Sequence, residues 1–188
     1  DNAVCYGPGA NATGVGSTAI GASANAAFSS STVDWGATAI GANTRAAGAN
    51  ATALGRSASA NASNSIAIGN QAAVSGLTAN GIAIGAGAET TGFGKSIAVG
   101  ASSTALVQKS TALGFQAYAN DRAVALGQGA NASGQQGVAL GQVAIASGIP
   151  SVAVGQAAQA TSRSSSAFGK SSTASANFAT ALGSSANA

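Results

Sequence analysis

Ser65-Ile66-Ala67-Ile68-Gly69-Asn70-Gln71-Ala72-Ala73-Val74 returns sixteen residues later as Gly81-Ile82-Ala83-Ile84-Gly85-Ala86-Gly87-Ala88-Glu89-Thr90. The same cassette recurs thirteen times. Its glycine falls at Gly7, Gly21, Gly41, Gly55, Gly69, Gly85, Gly100, Gly114, Gly127, Gly141, Gly155, Gly169 and Gly183. Eight of the twelve intervals are 14 residues, and the others are 20, 16, 15 and 13. A short phased period means one supersecondary unit stacked on itself, so the chain reads as a solenoid. Function then belongs to a long repeated surface rather than to a pocket.

Counting from each anchor glycine, position −2 is Ala in twelve repeats and Cys5 in the first. Position −1 is always apolar, and position −3 is β-branched everywhere except Ser166. This is a short strand with period-two alternation. Positions +3 and +5 are nearly always small, as at Ala58 and Ala60 or Ala130 and Ala132, and +4 is mostly polar. That is a second short strand. A frequent Gly at +7 marks a turn needing permissive dihedrals. Each coil is therefore strand, turn, strand, turn. The expected fold is all-β, a parallel β-roll of two-strand coils of about 14 residues, forming a single domain over residues 1–188.

Size complementarity suggests how the two sheets meet. In a thin interior, the large −3 and −1 residues are expected to face the small +3 and +5 residues. The Ala/Gly side of the first strand then faces outward, ready for close approach by another chain. Ala53, Ala67, Ala83, Ala98, Ala112, Ala125, Ala139 and Ala153 are the expected trimer-facing residues. All eleven charged residues avoid −3, −2, −1, 0, +3 and +5, consistent with the cost of burying an unpaired charge. Cys5 is expected to be a packed, reduced thiol in the Ala register.

Composition excludes several classes. Only 6% of residues are charged and none is His, and the single Cys cannot form an intrachain disulfide. The net charge of +3 is small, and the cations read as scattered, with no patch for nucleic acid. No metal, cofactor or catalytic constellation is expected. Gly92-Phe93-Gly94-Lys95-Ser96 ends like a phosphate loop, but Glu89 stands where its first glycine belongs. The Asn-Ala-Thr and Asn-Ala-Ser tripeptides at Asn11, Asn50, Asn61 and Asn131 read as polar turns rather than glycan sites. The repeat runs from near residue 1 to Ala188, which reads as a piece of a longer protein.

Asn64-Ser65-Ile66-Ala67-Ile68-Gly69, with close variants at Ser96–Gly100, Ser151–Gly155 and Gly81–Gly85, resembles the head repeat of trimeric autotransporter adhesins, the YadA-like heads. The resemblance covers essentially the whole chain. It implies a left-handed roll, a homotrimer, and display from a Gram-negative outer membrane. It also implies binding to a host cell-surface receptor or to matrix protein of the collagen, fibronectin or laminin class. The alternative is a passive spacer in a surface fibre. Asn64 and Ser65 in the signature, and Trp35 in the long Phe28–Gly36 insertion, are the expected ligand contacts. Tyr118 and Ile145 are further outward candidates at +4. Ice binding is disfavoured because the recurring Thr at −3 is expected to face inward. Carbohydrate catalysis and calcium loading lack the acidic residues they need.

Overall fold

The computed structural model describes residues 2–27, 36–75, 79–92 and 94–188. Trp35 and most of the Phe28–Gly36 insertion lie outside the described residues. The chain falls into two compact units, Asp1–Lys95 and Ser96–Ala188. Both are all-β among the described residues.

Each unit is built alike. Three-residue strands at −3 to −1, such as Ile66–Ile68, stack in one parallel sheet. Two-residue strands at +4 and +5, such as Ala73–Val74, stack in a second. The first unit has six of each, and the second has seven and six. Register follows the repeat: Ala67 lies beside Ala53 and Ala83, and Ile68 beside Leu54 and Ile84. Equivalent residues therefore form ladders at one coil spacing, about 4.8 Å.

The turns are hydrogen-bonded from coil to coil as well. Gly69 N–H donates to the Leu54 carbonyl at 2.8 Å, and Gln71 N–H to the Arg56 carbonyl at 2.9 Å. Each regular coil places one residue with positive φ in each turn, at +2 and −5, as at Gln71 (57°) and Asn64 (53°). The anchor glycines adopt a different conformation, with φ of 117–135°. At Gly69 a Cβ would lie 2.5 Å from the Gly85 carbonyl oxygen, so no side chain fits between the coils.

The interior overturns the expected orientation of the first strand. Among the described residues, every buried apolar side chain is Ala except Val74. Ala53, Ala67, Ala83, Ala98, Ala112, Ala125, Ala139 and Ala153 have no exposed surface within the single chain, so they face its core and not a partner. They meet the +3 and +5 alanines of the second sheet within shared clusters. The −3 and −1 residues point outward instead: Ile66 and Ile68 are half-buried, and Leu54 is 42% exposed. Thin sheets facing each other admit a methyl from each side, and a leucine on one side leaves a mismatch along every coil. Cys5 holds the same inward register, beside Ala19, and is exposed.

Short hydroxyls complete the core edge. Ser110 Oγ donates to the Val107 carbonyl at 2.9 Å, Ser165 Oγ to Ser162 at 2.6 Å, and Thr44 Oγ1 to Gly55 at 2.6 Å. Each satisfies a turn carbonyl without adding bulk.

Replacing Ala67 by Leu is expected to cost about 1–3 kcal/mol through overpacking. Gly69→Ala should lose more than the about 1–3 kcal/mol of backbone strain alone, because its Cβ would also meet the Gly85 carbonyl. Arg45→Ala, at an exposed +4 position, should stay within about 0.5 kcal/mol. Denaturant unfolding of the three variants checks the ranking; equal stabilities contradict it.

Candidate interaction surface

Three kinds of surface follow from this register. The first is the outer face of the three-residue strands, lined by −3 and −1 residues. In the second unit it carries Val124, Leu126, Val138, Leu140, Val152 and Val154, all half-buried, with Leu113 and Phe168 at 37% exposed. In the first unit, Ile20, Ile40, Leu54, Ile68 and Ile84 share the −1 position. No repeat places a charge at −3 or −1, although these side chains reach the surface.

The second surface is the outer face of the two-residue strands. Arg45, Glu89 and Gln159 are exposed there, and Tyr118, Asn131 and Ile145 are half-buried in three adjacent coils. The Asn131 side-chain oxygen is covered and has no hydrogen-bond partner, as is that of Asn25 in the first unit. Tyr118 and Ile145 therefore do point outward, as the polar +4 pattern suggested.

The third surface is the turns. Amide side chains run along them in ladders: Gln142 Nε2 donates to Gln128 Oε1 at 3.2 Å, and Gln156 Nε2 to Gln142 Oε1 at 2.9 Å. Asn64 belongs to such a ladder. It is exposed, its φ is 53°, and its Oδ1 accepts from Asn50 Nδ2 at 3.2 Å. Asn tolerates the left-handed region better than most residues, so the turn alone accounts for it. Ser65 is fully buried, and its Oγ donates to the Ala62 carbonyl at 2.6 Å. The signature pair is thus a turn residue and an interior hydroxyl; Ser65 cannot touch a ligand.

The outward −3/−1 ridge was missed in the sequence, yet a signal for it is present. Position −3 accepts Thr or Ser in three of the second unit's seven repeats and three of the first four, whereas −2 varies only at Cys5. The more restricted position is the buried one.

The family model for the YadA head domain repeat matches at residues 7–32, 36–58, 46–72, 60–88, 95–117, 119–144, 146–170 and 160–186. No curated protein sequence matches the chain. Among solved structures, the collagen-binding domain of the Yersinia adhesin YadA is similar at 24% identity with a TM-score of 0.42. That alignment covers 78% of this chain and 65% of that one, so the chain spans less than two thirds of the solved domain. The repeated matches define the class as an adhesin head of β-solenoid type. The chain belongs to the YadA head repeat family, a family of structural adhesin repeats rather than enzymes.

Ser65→Ala should lower stability by about 0.5–1.5 kcal/mol, the worth of one net hydrogen bond, and leave any surface binding unchanged. A thermal melt paired with a binding assay checks both halves.

Proposed function

We propose that this head is a homotrimer displayed on the bacterial cell surface, where it attaches to host cells and extracellular matrix protein of the collagen, fibronectin or laminin class. The carrying observation for assembly is the charge-free apolar ridge at −3 and −1. A solvent-facing strip with a large apolar residue at every −1 and Ile, Val, Thr or Ser at −3, without one charge in thirteen repeats, is what a covered face requires. The ridge takes the role the alanines were expected to play, and the roll's own core needs nothing from it.

Attachment rests on family membership together with the repeated outward positions. Short polar side chains recur at each +4 position and turn, and each offers a weak contact. Many linked weak sites gain avidity by about 10²–10⁴ when they engage together. A fibrous, repetitive ligand meets several coils at once. The handedness implied by the family, left-handed, is part of this reading.

Light scattering of the purified chain should give three times 17.4 kDa. Leu126→Asp with Leu140→Asp should dissociate it, because each puts a charge on the ridge. A stable native monomer overturns the assembly. A solid-phase screen against collagens, fibronectin, laminin and host cells tests attachment. Absence of binding by the intact assembly at micromolar concentration leaves the head as a passive spacer.

A further inference from the structure

The charge of the chain is not spread evenly along it. Residues 1–95 carry three acidic and three basic side chains and are neutral overall. Residues 96–188 carry Lys109, Arg122, Arg163 and Lys170 against Asp121 alone, so the whole net charge of +3 belongs to the second unit. Within that unit, its six outward +4 residues, Thr104, Tyr118, Asn131, Ile145, Gln159 and Thr173, are uncharged. The cations are therefore on the turns.

Three of those four cations share one turn edge. Lys109 and Arg122 hold the −5 position in adjacent coils, with φ of 54° and 53°, and Arg163 holds −6 farther along. All three are exposed. Lys170 sits at +1, on the opposite turn. Backbone bonds fix the edge: Arg122 N–H donates to the Gln108 carbonyl at 2.8 Å, Gln136 N–H to Asp121 at 3.0 Å, and Phe178 N–H to Arg163 at 2.9 Å. The one acid of the edge, Asp121, is engaged by Gln135, whose Nε2 donates to Oδ2 at 2.6 Å. Farther along, Phe178 holds the −5 position of its coil with a φ of 61°. A bulky side chain in the left-handed region is strained, and strain retained on a surface points to use.

We infer that this turn edge of the second unit binds a linear acidic polysaccharide, with Lys109, Arg122 and Arg163 as its cationic contacts and Phe178 as a stacking platform for a sugar ring. The chemistry fits that class. Successive coils advance by about 4.8 Å, close to the advance of one pyranose ring in an extended chain. Neighbouring positions on the edge thus fall beside successive sugars. Gln136, exposed between Arg122 and Arg163, suits a hydroxyl group, Ile149 and Pro150 on the next coil offer an apolar contact to a ring face, and the cations suit carboxylate or sulfate groups. Other polyanions fit less well. Salt-dependent binding to nucleic acid typically rests on some 6–10 phosphate contacts, and adsorption to an anionic membrane on clusters of about 4–8 basic residues. Three cations, two in adjacent coils and the third beyond Gln136, Ile149 and Pro150, are too dilute for either. The inference goes beyond the matrix-protein reading and does not depend on it, because the ligand here is a glycan free of protein.

The test uses the purified full chain with heparin, hyaluronan, neutral dextran and single-stranded DNA. Heparin and hyaluronan should bind, more weakly as salt rises, and dextran should not. The edge variant Lys109→Asn, Arg122→Asn, Arg163→Gln keeps residues that tolerate the turns and brings the formal net charge to zero. The control variant Arg45→Gln, Arg56→Gln, Lys170→Gln removes the same charge from other surfaces. The edge variant should bind heparin roughly tenfold more weakly, the control should keep most of its affinity, and both should melt near the parent temperature. Phe178→Ser should weaken both glycans at unchanged charge. Equal losses in the two charge variants, tighter binding to DNA than to heparin, or no glycan binding by the parent chain would each overturn the assignment. A glycan result of either sign leaves the matrix-protein screen to stand or fall separately.

Discussion

The structure depends on a limit of size: the space between the two sheets of a coil holds a methyl from either side and little more, with Val74, Thr44 and Thr90 its largest occupants. Alanine at −2 meets alanine at +3 and +5, with serine or threonine hydroxyls at the edges. The core is close-packed, but its apolar burial per residue is small. Cohesion therefore comes largely from the direction along the stack. Within each unit, among the described residues, strand ladders and turns hydrogen-bond neighbouring coils to one another. That is also why the anchor glycine is fixed: at Gly69 the neighbouring carbonyl occupies the place of a Cβ.

A methyl-sized interior has an external consequence. The large apolar residues of the repeat have nowhere to go inside, so they form a ridge outside. In most small proteins such residues would be the core and their exposure a liability. Here the single chain completes its interior without them. The ridge is then available for assembly, and its lack of charge reads as selection for a covered face rather than for water. Assembly and folding thus draw on different residues at alternate positions of the same strand.

The turns follow another rule. With two left-handed positions in each regular coil, they favour Asn, Ser, Gln and Gly, and the identical spacing lines those side chains into amide ladders. Much of the polar regularity that looks like a recognition surface is required by backbone conformation. Asn64 is the clearest example. Residues that break the rule carry more information. Lys109, Arg122 and Phe178 occupy left-handed positions that the turn alone would fill with Asn or Gly. The second unit, which holds them, also holds all of the net charge.

The sequence by itself determined the solenoid, the two-strand coil, the anchor glycines' positions and the outward +4 residues, because period and alternation are properties of the chain alone. It also carried the family, through Asn64–Gly69 and its variants. Which face of the first strand turns inward was decided only by the tertiary structure. Alternation separates Ile66 and Ile68 from Ala67, but it assigns neither set to the core. Hydrophobicity favoured the isoleucines, and the distance between the sheets chose the alanine. The same closure buried Ser65 and brought residues thirteen or fourteen positions apart onto one edge, since stacking converts a sequence interval into neighbours one coil apart.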